Sequence, residues 1–480
     1  MATESSEFDV IVIGGGPVGE NAAQYAIQGS DRTAVIIEHE LLGGECSYWA
    51  CMPSKALLRP SEVLDTARNM PGVKELVGES PLDADAVLAR RESYTHGLDD
   101  SSQVAWAESV GISVIRGHGR ITGTKTVEVD GRTLTARHAV ILATGTTASI
   151  PEVPGLRDAL PWISRDATNI HETPAHIAII GGGVVASEAA TWLLSLGAKV
   201  TMIVRGSSLL AGSEPFASEL VADALTQRGA SIMFDASLES VSRENPAATG
   251  FGRIHGGPVT LTVDGKDITA DEVLVAAGRR PASSDLGLSR LGLEDGHSIE
   301  VDDHLSVPGH EWLYAVGDVN GRAPLTHMGK YQGRVAGDVI AARAEGKPLD
   351  HKRFRASADH GQVPQVVFTP LELASVGLTE ADAREAGIDV ETVARDIAVA
   401  GSSLQQDDYT GHAQLVIDRA TDTIVGATFV GPGVAELVHA ATVAIVGKVS
   451  LDDLWHAVPS YPTVSEIWLR LLEARRDADH

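Results

Sequence analysis

The feature that most constrains the fold of this 480-residue chain is a glycine-rich segment that occurs twice. Residues 8–38 (FDVIVIGGGPVGENAAQYAIQGSDRTAVIIE) and residues 176–205 (HIAIIGGGVVASEAATWLLSLGAKVTMIVR) each open with a run rich in valine and isoleucine. A glycine cluster, an alanine-rich stretch with helical spacing and a second apolar run follow in both copies. Strands buried on both faces read as continuous apolar runs, and parallel strands are joined by right-handed crossovers. Each copy is therefore predicted to be a parallel β–α–β unit.

The two copies also share one register. Gly14 precedes Glu38 by the same number of residues as Gly181 precedes Arg205. A single G-x-G-x-x-G is weak evidence, because glycines cluster in ordinary turns. Two copies in register, each between a strand and a helix, predict an α/β chain with two Rossmann-like dinucleotide-binding domains. After about residue 355 the pattern changes to strands followed by helices, which predicts an α+β unit.

Composition narrows the class of protein further. The formal net charge of −27 argues against nucleic acid or an anionic membrane surface as the main partner. No apolar run reaches the length of a membrane span, and the opening MATESSEFD lacks the features of a signal peptide. We therefore expect a cytoplasmic protein. Prolines at 60, 71 and 81 are predicted to break the helices between residues 60 and 110.

The first glycine turn is predicted to bind the ADP part of FAD or NAD. Gly14, Gly16 and Gly19 permit a tight turn, a close approach of backbone to pyrophosphate and close packing of helix on strand. The pyrophosphate would lie at the helix N-terminus, where unpaired N–H groups favour anions. Glu38 ends the second strand, where its carboxylate can accept hydrogen bonds from ribose hydroxyls.

The second glycine turn, with Gly181 and Gly183, departs from the first at two positions. Ala186 replaces the third glycine, and Arg205 replaces the acidic residue. A guanidinium at the ribose 2′ position favours a 2′-phosphate, so this site is predicted to prefer NADPH over NADH. The alternative is that Arg205 is only a solvated charge at the end of a strand.

The chain has two cysteines, Cys46 and Cys51, which is too few for a disulfide scaffold or a structural zinc site built on thiolates. Residues i and i+5 of a helix lie about 8.7 Å apart, beyond the about 4.4–6.8 Å that a disulfide allows. The segment between them must therefore be bent for a bridge to form. Pro53 favours a helix that starts near Cys51, where the helix dipole stabilises a thiolate. We interpret the pair as a redox dithiol; the alternative is two unrelated buried cysteines.

At this point the sequence resembles a known family. GGECSYWACMPSK at 43–55 is similar to the G-G-x-C-x4-C-x-P-[ST]-K signature of the flavoprotein pyridine nucleotide–disulfide oxidoreductases, which include dihydrolipoamide dehydrogenase, glutathione reductase and mercuric reductase. Further similar motifs are ILATGTTASIPEVPG at 141–155, EVLVAAGRRP at 272–281, LYAVGDVNG at 313–321 and QVVFTPLELASVGLTEADA at 365–383.

The resemblance implies three domains and a set of roles. It implies an FAD-binding domain (1–153 and 281–355), an NAD(P)-binding domain (154–280) and a dimerisation domain (356–480). Cys46 would attack the acceptor, Cys51 would lie against the flavin, and Lys55 would pair with Glu188 near it. The other positions implied to contact a cofactor are Gly44, Glu45, His118, Gly119, Thr144, Gly145, Gly278, Asp318, Thr326 and His327.

The implied activity is electron transfer from NAD(P)H through FAD to the Cys46–Cys51 disulfide and then to a small-molecule acceptor, in a homodimer. The family's closing motif H-P-T-x-x-E reads YPTVSE here, so Tyr461 stands at the histidine position while Glu466 is retained. Tyrosine, with an ordinary pKa near 10, is a poor base at neutral pH. This favours a quinone or metal ion over a disulfide as acceptor. His456 is a possible substitute base or only a surface residue.

Two other functions stay open at the sequence level. One is a quinone reductase or pyridine nucleotide transhydrogenase that acts directly from the flavin, without the dithiol. The other is a non-catalytic component that uses FAD for structure, which the retained Lys55, Glu188 and Arg205 disfavour.

Overall fold

The computed structural model describes residues 6–478; the first five and last two residues, which fall in the predicted FAD-binding and dimerisation domains, lie outside it. The strands are β1 (Glu7–Ile13), β2 (Ala34–Glu38), β3 (Ile112–Arg116), β4 (Gly119–Gly123), β5 (Thr126–Val129), β6 (Arg132–Leu142), β7 (Thr146–Ala148), β8 (His176–Ile180), β9 (Lys199–Ile203), β10 (Ser231–Met233), β11 (Leu238–Arg243), β12 (Val259–Val263), β13 (Lys266–Ala270), β14 (Glu272–Val275), β15 (Arg279–Pro281), β16 (Ser306–Val307), β17 (His310–Ala315), β18 (Pro364–Val367), β19 (Glu372–Gly377), β20 (Val390–Asp396), β21 (His412–Asp418) and β22 (Thr423–Gly431).

The α-helices are α1 (Pro17–Ile27), α2 (Gly44–Tyr48), α3 (Cys51–Arg68), α4 (Lys74–Val77), α5 (Ala84–Tyr94), α6 (Ser101–Ser109), α7 (Ser164–Thr168), α8 (Val184–Ser195), α9 (Pro215–Gln227), α10 (Thr326–Ala344), α11 (Glu380–Glu385), α12 (Ala400–Ser403), α13 (Leu437–Gly447), α14 (Leu451–Trp455) and α15 (Glu466–Ala478).

The chain divides into two compact units. The first contains the described residues of Met1–Pro53, Glu92–Ser149 and Arg279–Asp359. Its main sheet has the strand order β16-β17-β6-β1-β2-β3, in which β17, β6, β1, β2 and β3 run parallel. The buried strand β1 pairs with β2 from Val10 opposite Ala34 to Ile13 opposite Ile37. The glycine turn after β1 therefore lies at the carboxyl edge of a parallel sheet, where α/β folds bind ligands.

The second unit contains Ser54–Arg91, Ile150–Gly278 and the described part of His360–His480. One of its sheets is parallel, with the order β10-β9-β8-β14, and follows the second glycine repeat. Another is antiparallel, with the order β18-β19-β22-β21-β20, and helix α13 packs in its apolar core. The predicted fold class, two Rossmann-like cores followed by an α+β unit, is confirmed. The three domain boundaries stay a prediction.

One sequence expectation is wrong: Pro60 does not break a helix. It lies inside α3, which runs from Cys51 to Arg68. The helix continues because its preceding turn is held by packing, with Leu57 and Leu58 buried in the second unit's core. Proline in a helix interior costs about 3 kcal/mol, which tertiary packing of this kind can offset. Within residues 6–478, no helix is long and apolar enough to span a membrane.

Candidate active site

The first glycine turn is shaped by backbone packing at two of its three glycines. Gly14 has a φ of +105°, and a Cβ there would lie 2.4 Å from the Ala143 carbonyl oxygen. A Cβ at Gly19 would lie 2.1 Å from the Gly14 carbonyl oxygen. The chain itself therefore requires glycine at both positions, because strand, turn and helix touch there at backbone distance.

Gly16 differs from the other two glycines because the space beside it is open, and this space shows whether a phosphate group would fit. A Cβ at Gly16 meets nothing closer among the described residues than Gly44 Cα, at 4.0 Å, and the φ of −71° suits any residue. Gly16 is also the N-cap of α1, which has no side-chain capping bond. The nearby Thr144 Oγ1 is buried and has no hydrogen-bond partner in the described chain. An open cradle at a helix N-terminus beside an unsatisfied hydroxyl fits a pyrophosphate.

Glu38, at the end of β2, lies beside this turn. Its carboxylate accepts hydrogen bonds from the N–H groups of Gly15, at 2.7 Å, and Glu40, at 2.8 Å. Burial alone would raise the pKa of Glu38, but these bonds and one from His39 hold it below its ordinary value. The imidazole of His39 stacks on that of His118, with ring centroids 4.3 Å apart. Glu38 is thus kept as a carboxylate that can accept further hydrogen bonds.

The dithiol lies next to the same turn. A Cβ at Gly44 would lie 2.7 Å from Gly16 Cα, so the segment that carries Cys46 begins against the first glycine turn. The predicted bend is present: α2 ends at Tyr48, and α3 begins at Cys51 with Pro53 in its first turn. The Cys51 sulfur lies 3.2 Å from Thr326 Oγ1 at the start of α10.

The two thiols differ in their surroundings. Cys51 raises the pKa of the Cys46 thiol through their hydrogen bond and through its charge, and burial of Cys46 adds to this. Cys51 begins α3, and a helix N-terminus stabilises a thiolate. This arrangement suits Cys51 as the thiolate and Cys46 as the thiol that must be activated.

A charged network joins Glu45 to Asp318. Arg279 donates to the Glu45 carboxylate at 2.6 Å, and its Nε donates to Thr146 Oγ1 at 2.7 Å. Thr146 in turn donates to Asp318 Oδ2 at 3.0 Å. Burial raises the pKa of Asp318. Gly145, with a φ of +70°, accepts from the Ala282 N–H, which ties strands β7 and β15 together near this network.

Gly119 and His327 are two further positions of this unit that the family resemblance implies to contact a cofactor. Gly119 begins β4, and a Cβ there would press on Ile13 and Ile37 at 3.3 Å, so its place is structural as well. His327 is an exposed residue in the first turn of α10.

The second glycine turn repeats the pattern of the first. Gly181 has a φ of +131°, and a Cβ there would lie 2.3 Å from the Ala276 carbonyl oxygen. Gly183 caps α8, and a Cβ there would meet no described atom within 4 Å, so this position is open as Gly16 is. Ala186 is fully buried, so the helix accommodates its methyl group. Arg205 follows β9 as an exposed residue and makes no hydrogen bond or ion pair within residues 6–478. These residues fit a dinucleotide.

Lys55 and Glu188 meet within the second unit. The Lys55 ammonium donates to both Glu188 oxygens, at 3.0 and 2.8 Å. Glu188 Oε1 also accepts from the Phe368 N–H at 3.1 Å, and the ammonium lies 4.8 Å from the centre of the Phe368 ring. Gly278, with a φ of +116°, ends this unit's second segment. The Lys55 ammonium is thus held in one orientation by Glu188 and Phe368.

Tyr461 and Glu466 are not brought together. The Tyr461 side chain is 75% exposed. Glu466 is buried at the start of α15, where Oε1 pairs with Arg470 at 2.5 Å and Oε2 has no hydrogen-bond partner among the described residues. Within the described chain Tyr461 therefore makes no hydrogen bond with Glu466.

Three residues of these networks were not singled out from the sequence: Thr146, Arg279 and Phe368. Each lies in a motif already quoted, in TGTT, AAGRRP and QVVFT, but the motif alone does not say where a side chain points. Their contacts follow from pairing of segments that are far apart in the chain, such as β7 with β15.

Comparison with known proteins gives the family. Residues 8–333 match the family described as pyridine nucleotide-disulphide oxidoreductase, and residues 363–471 match its dimerisation domain. The chain belongs to this family: it is an FAD-dependent enzyme that uses a pyridine nucleotide, and it carries the domain through which members form homodimers.

Individual relatives span almost the whole chain. The dihydrolipoyl dehydrogenase of Chlamydia muridarum is 31% identical over 470 residues, which cover 96% of this chain and 95% of the relative. The mercuric reductase of Staphylococcus aureus is 28% identical over 464 residues, 96% of this chain and 81% of the relative. Among solved structures, the Cu(II) complex of the HOCl-induced flavoprotein disulfide reductase RclA from Escherichia coli superposes with a TM-score of 0.81 at 22% identity, covering 98% of this chain and 99% of that one. That last likeness concerns the fold alone.

Proposed function

We propose that this protein oxidises NADPH and passes two electrons through the Cys46–Cys51 disulfide to a small-molecule acceptor. The observation that carries the proposal is the dithiol: two thiols in contact beside the first glycine turn, with Cys51 at a helix N-terminus and the pKa of Cys46 raised. In the alternative function, electrons pass directly from the flavin to a quinone or a second nicotinamide. These features of the dithiol would then have no role.

Bound FAD would take a hydride from NADPH and reduce the disulfide. The chain's residues hold and orient the reactants. Backbone N–H groups after Gly16 would hold the FAD pyrophosphate, and Glu38 would accept from its ribose. Asp318 would bind the ribityl chain, and Lys55, which pairs with Glu188, is proposed to act on the flavin.

The preference for NADPH rests on Arg205. Its guanidinium is exposed and uncommitted among the described residues, so binding a 2′-phosphate breaks no existing bond. Hydrogen bonds to charged groups contribute about 1.5–3 kcal/mol, or about 10- to 150-fold in affinity.

We expect Arg205→Glu to lower kcat/KM for NADPH by about that factor and to leave kcat/KM for NADH within about threefold. Lys199→Glu is the matched control, because Lys199 is an exposed cation at the other end of β9. An unchanged ratio of NADPH to NADH turnover in Arg205→Glu would remove the assignment.

The acceptor is the least constrained part of the proposal. Tyrosine is a poor base at neutral pH, so Tyr461 at the histidine position supports an acceptor that needs little proton management, such as a quinone or a metal ion. The relatives named dihydrolipoyl dehydrogenase and mercuric reductase suggest a disulfide and a metal ion as the acceptors to compare in the assay. The cytoplasmic location stays a prediction.

One experiment tests the proposed path. The oxidised holoenzyme is titrated anaerobically with NADPH while its spectrum is followed, and then a disulfide, a quinone or a metal ion is added. We expect a long-wavelength charge-transfer band after two electrons, from the Cys51 thiolate against the flavin, and its loss when an acceptor turns over. Cys46→Ser and Cys51→Ser should abolish turnover. If turnover with every accepted compound survives both substitutions, the direct path is correct instead.

A further inference from the structure

Helices α1 and α10 of the first unit touch at backbone distance. Gly329, Gly333 and Gly337 repeat every four residues on α10. A Cβ at Gly329 would lie 2.6 Å from a methyl group of Val18, and one at Gly337 would lie 2.5 Å from Tyr25 Cβ. Because the two helices are this close, charged residues beside the glycine stripe act electrostatically on one another.

Lys330 is next to that stripe and on the face of α10 that meets the dithiol. It follows Thr326 by one turn, and residues four apart share a helix face. Thr326 Oγ1 is the group 3.2 Å from the Cys51 sulfur. The half-buried Lys330 ammonium makes no hydrogen bond or ion pair with any residue in 6–478. A hydrogen bond with Thr326 and, to a smaller extent, the charge of Lys330 lower the pKa of the Cys46 thiol, opposing the effects of Cys51 and of burial.

Glu20 stands opposite, in the first turn of α1. It is buried, and its closest hydrogen-bond donor is Gln103 Nε2 at 3.4 Å. Burial raises the pKa of Glu20 to about 7, and the charge of Lys330 opposes that rise. On α2, burial raises the pKa of Tyr48, and the charges of Asp100, Glu20 and Asp99 raise it further while that of Arg116 lowers it. Lys330 is thus the cation that acts on both Glu20 and Cys46.

We propose that Lys330 supplies the positive charge that stabilises the Cys46 thiolate during attack on the acceptor, in place of the histidine that is absent at position 461. The inference rests on the function proposed above, in which Cys46 is the attacking sulfur. Lys330 is a positioning residue: it acts through its charge on Cys46 and transfers no proton.

The step balances without a further reactant. With a disulfide acceptor, Cys46 gives its proton to solvent, and its thiolate forms a bond to one acceptor sulfur while the acceptor S–S bond breaks. The departing thiolate takes a proton from solvent. Cys51 then attacks the Cys46 sulfur, releases the second thiolate and re-forms the Cys46–Cys51 disulfide. The acceptor gains two electrons, and the dithiol loses two.

The test measures the ionisation of Cys46 rather than turnover. FAD-loaded enzyme is reduced anaerobically with one equivalent of NADPH, and the rate of Cys46 alkylation by iodoacetamide is measured against pH. We expect Lys330→Met to shift the rate profile to higher pH and to slow alkylation at neutral pH by about three- to tenfold, since one pKa unit is a tenfold change in thiolate. Lys330→Arg should retain the wild-type profile.

Glu20→Gln gives a result of opposite sign. It removes the carboxylate that offsets Lys330, so the profile should shift to lower pH. Arg334→Met is the matched control, because it removes a cation one turn further along α10. The flavin content and the charge-transfer band of each variant show that it is folded and that Cys51 still meets the flavin.

Three outcomes overturn the inference. Coincident profiles for wild type and Lys330→Met, with the charge-transfer band intact, would refute the role of Lys330 and leave the proposed function standing. An equal shift in Arg334→Met would show a general charge effect. Absence of the band in the wild type would refute the proposed function, and this inference with it.

Discussion

The Lys55–Glu188 pair gives an asymmetric expectation, because its two partners differ in exposure. The Lys55 side chain is 39% exposed, whereas that of Glu188 is 6% exposed. Lys55→Met leaves a buried carboxylate with the Phe368 N–H as its remaining donor from the bonds described above. Breaking a buried pair costs about 3–5 kcal/mol, and the partial solvation of this site lowers the expected loss to about 2–3 kcal/mol.

Glu188→Gln should cost less. The amide oxygen can still accept from Phe368 and from Lys55, and the ammonium of Lys55 can turn to water, so we expect a loss of about 1 kcal/mol. The double variant should then be more stable than Lys55→Met alone by about 1–2 kcal/mol, because no uncompensated charge remains buried.

The measurement is urea unfolding of the four holoproteins with excess FAD, followed by tryptophan fluorescence. Trp192, buried on the same helix as Glu188, reports on this region. Lys55→Arg is the control that keeps the charge. Equal losses in the two single variants, with an additive double variant, would refute the reasoning that burial of Glu188 sets the cost.

Two further predictions concern the first unit. Gly16→Ala should fold normally and bind FAD about tenfold more weakly. Gly19→Ala should lose about 1–3 kcal/mol of stability, because its Cβ would lie 2.1 Å from a carbonyl oxygen. Flavin content and thermal unfolding of the apoproteins distinguish the two effects, and an unchanged FAD affinity in Gly16→Ala would contradict a phosphate site at Gly16. Glu20 has its pKa raised from 4.5 to about 7, so its contribution is fully favourable below about pH 4.5 and is lost as pH rises through about 7. Relative to Glu20→Gln, the wild type should therefore lose up to about 3 kcal/mol between about pH 5 and pH 8, and parallel melting temperatures over that range would argue against a buried neutral acid.

The sequence predicts best what short-range sterics decide. Glycine at 14 and 19 and proline at 53 act through their immediate neighbours, so the turn after β1 and the helix start at Cys51 could be placed without a structure. The resemblance to a family supplied the Lys55–Glu188 contact, which joins positions far apart in the chain.

Other features could not be read from the chain. Pro60 signals a break by its local chemistry, yet α3 continues because packing of Leu57 and Leu58 outweighs it. The approach of Lys330 to Glu20 and Cys46 depends on two helices meeting along a glycine stripe. The residues around Lys330 in the sequence do not indicate that Glu20 or Cys46 lies near it.

Cys51 and Thr326 are in contact although 275 residues of chain separate them, so the ribosome synthesises them at different times. Ribosomes add about 5–20 residues per second, so roughly 15–55 s pass between synthesis of the two residues. During that interval α1 lacks its partner α10, and the parallel sheet lacks β17, while strands β8 to β14 are already complete. The region of the second glycine repeat can therefore fold first, whereas Cys51, synthesised early, gains its contact with Thr326 only after α10 has been made.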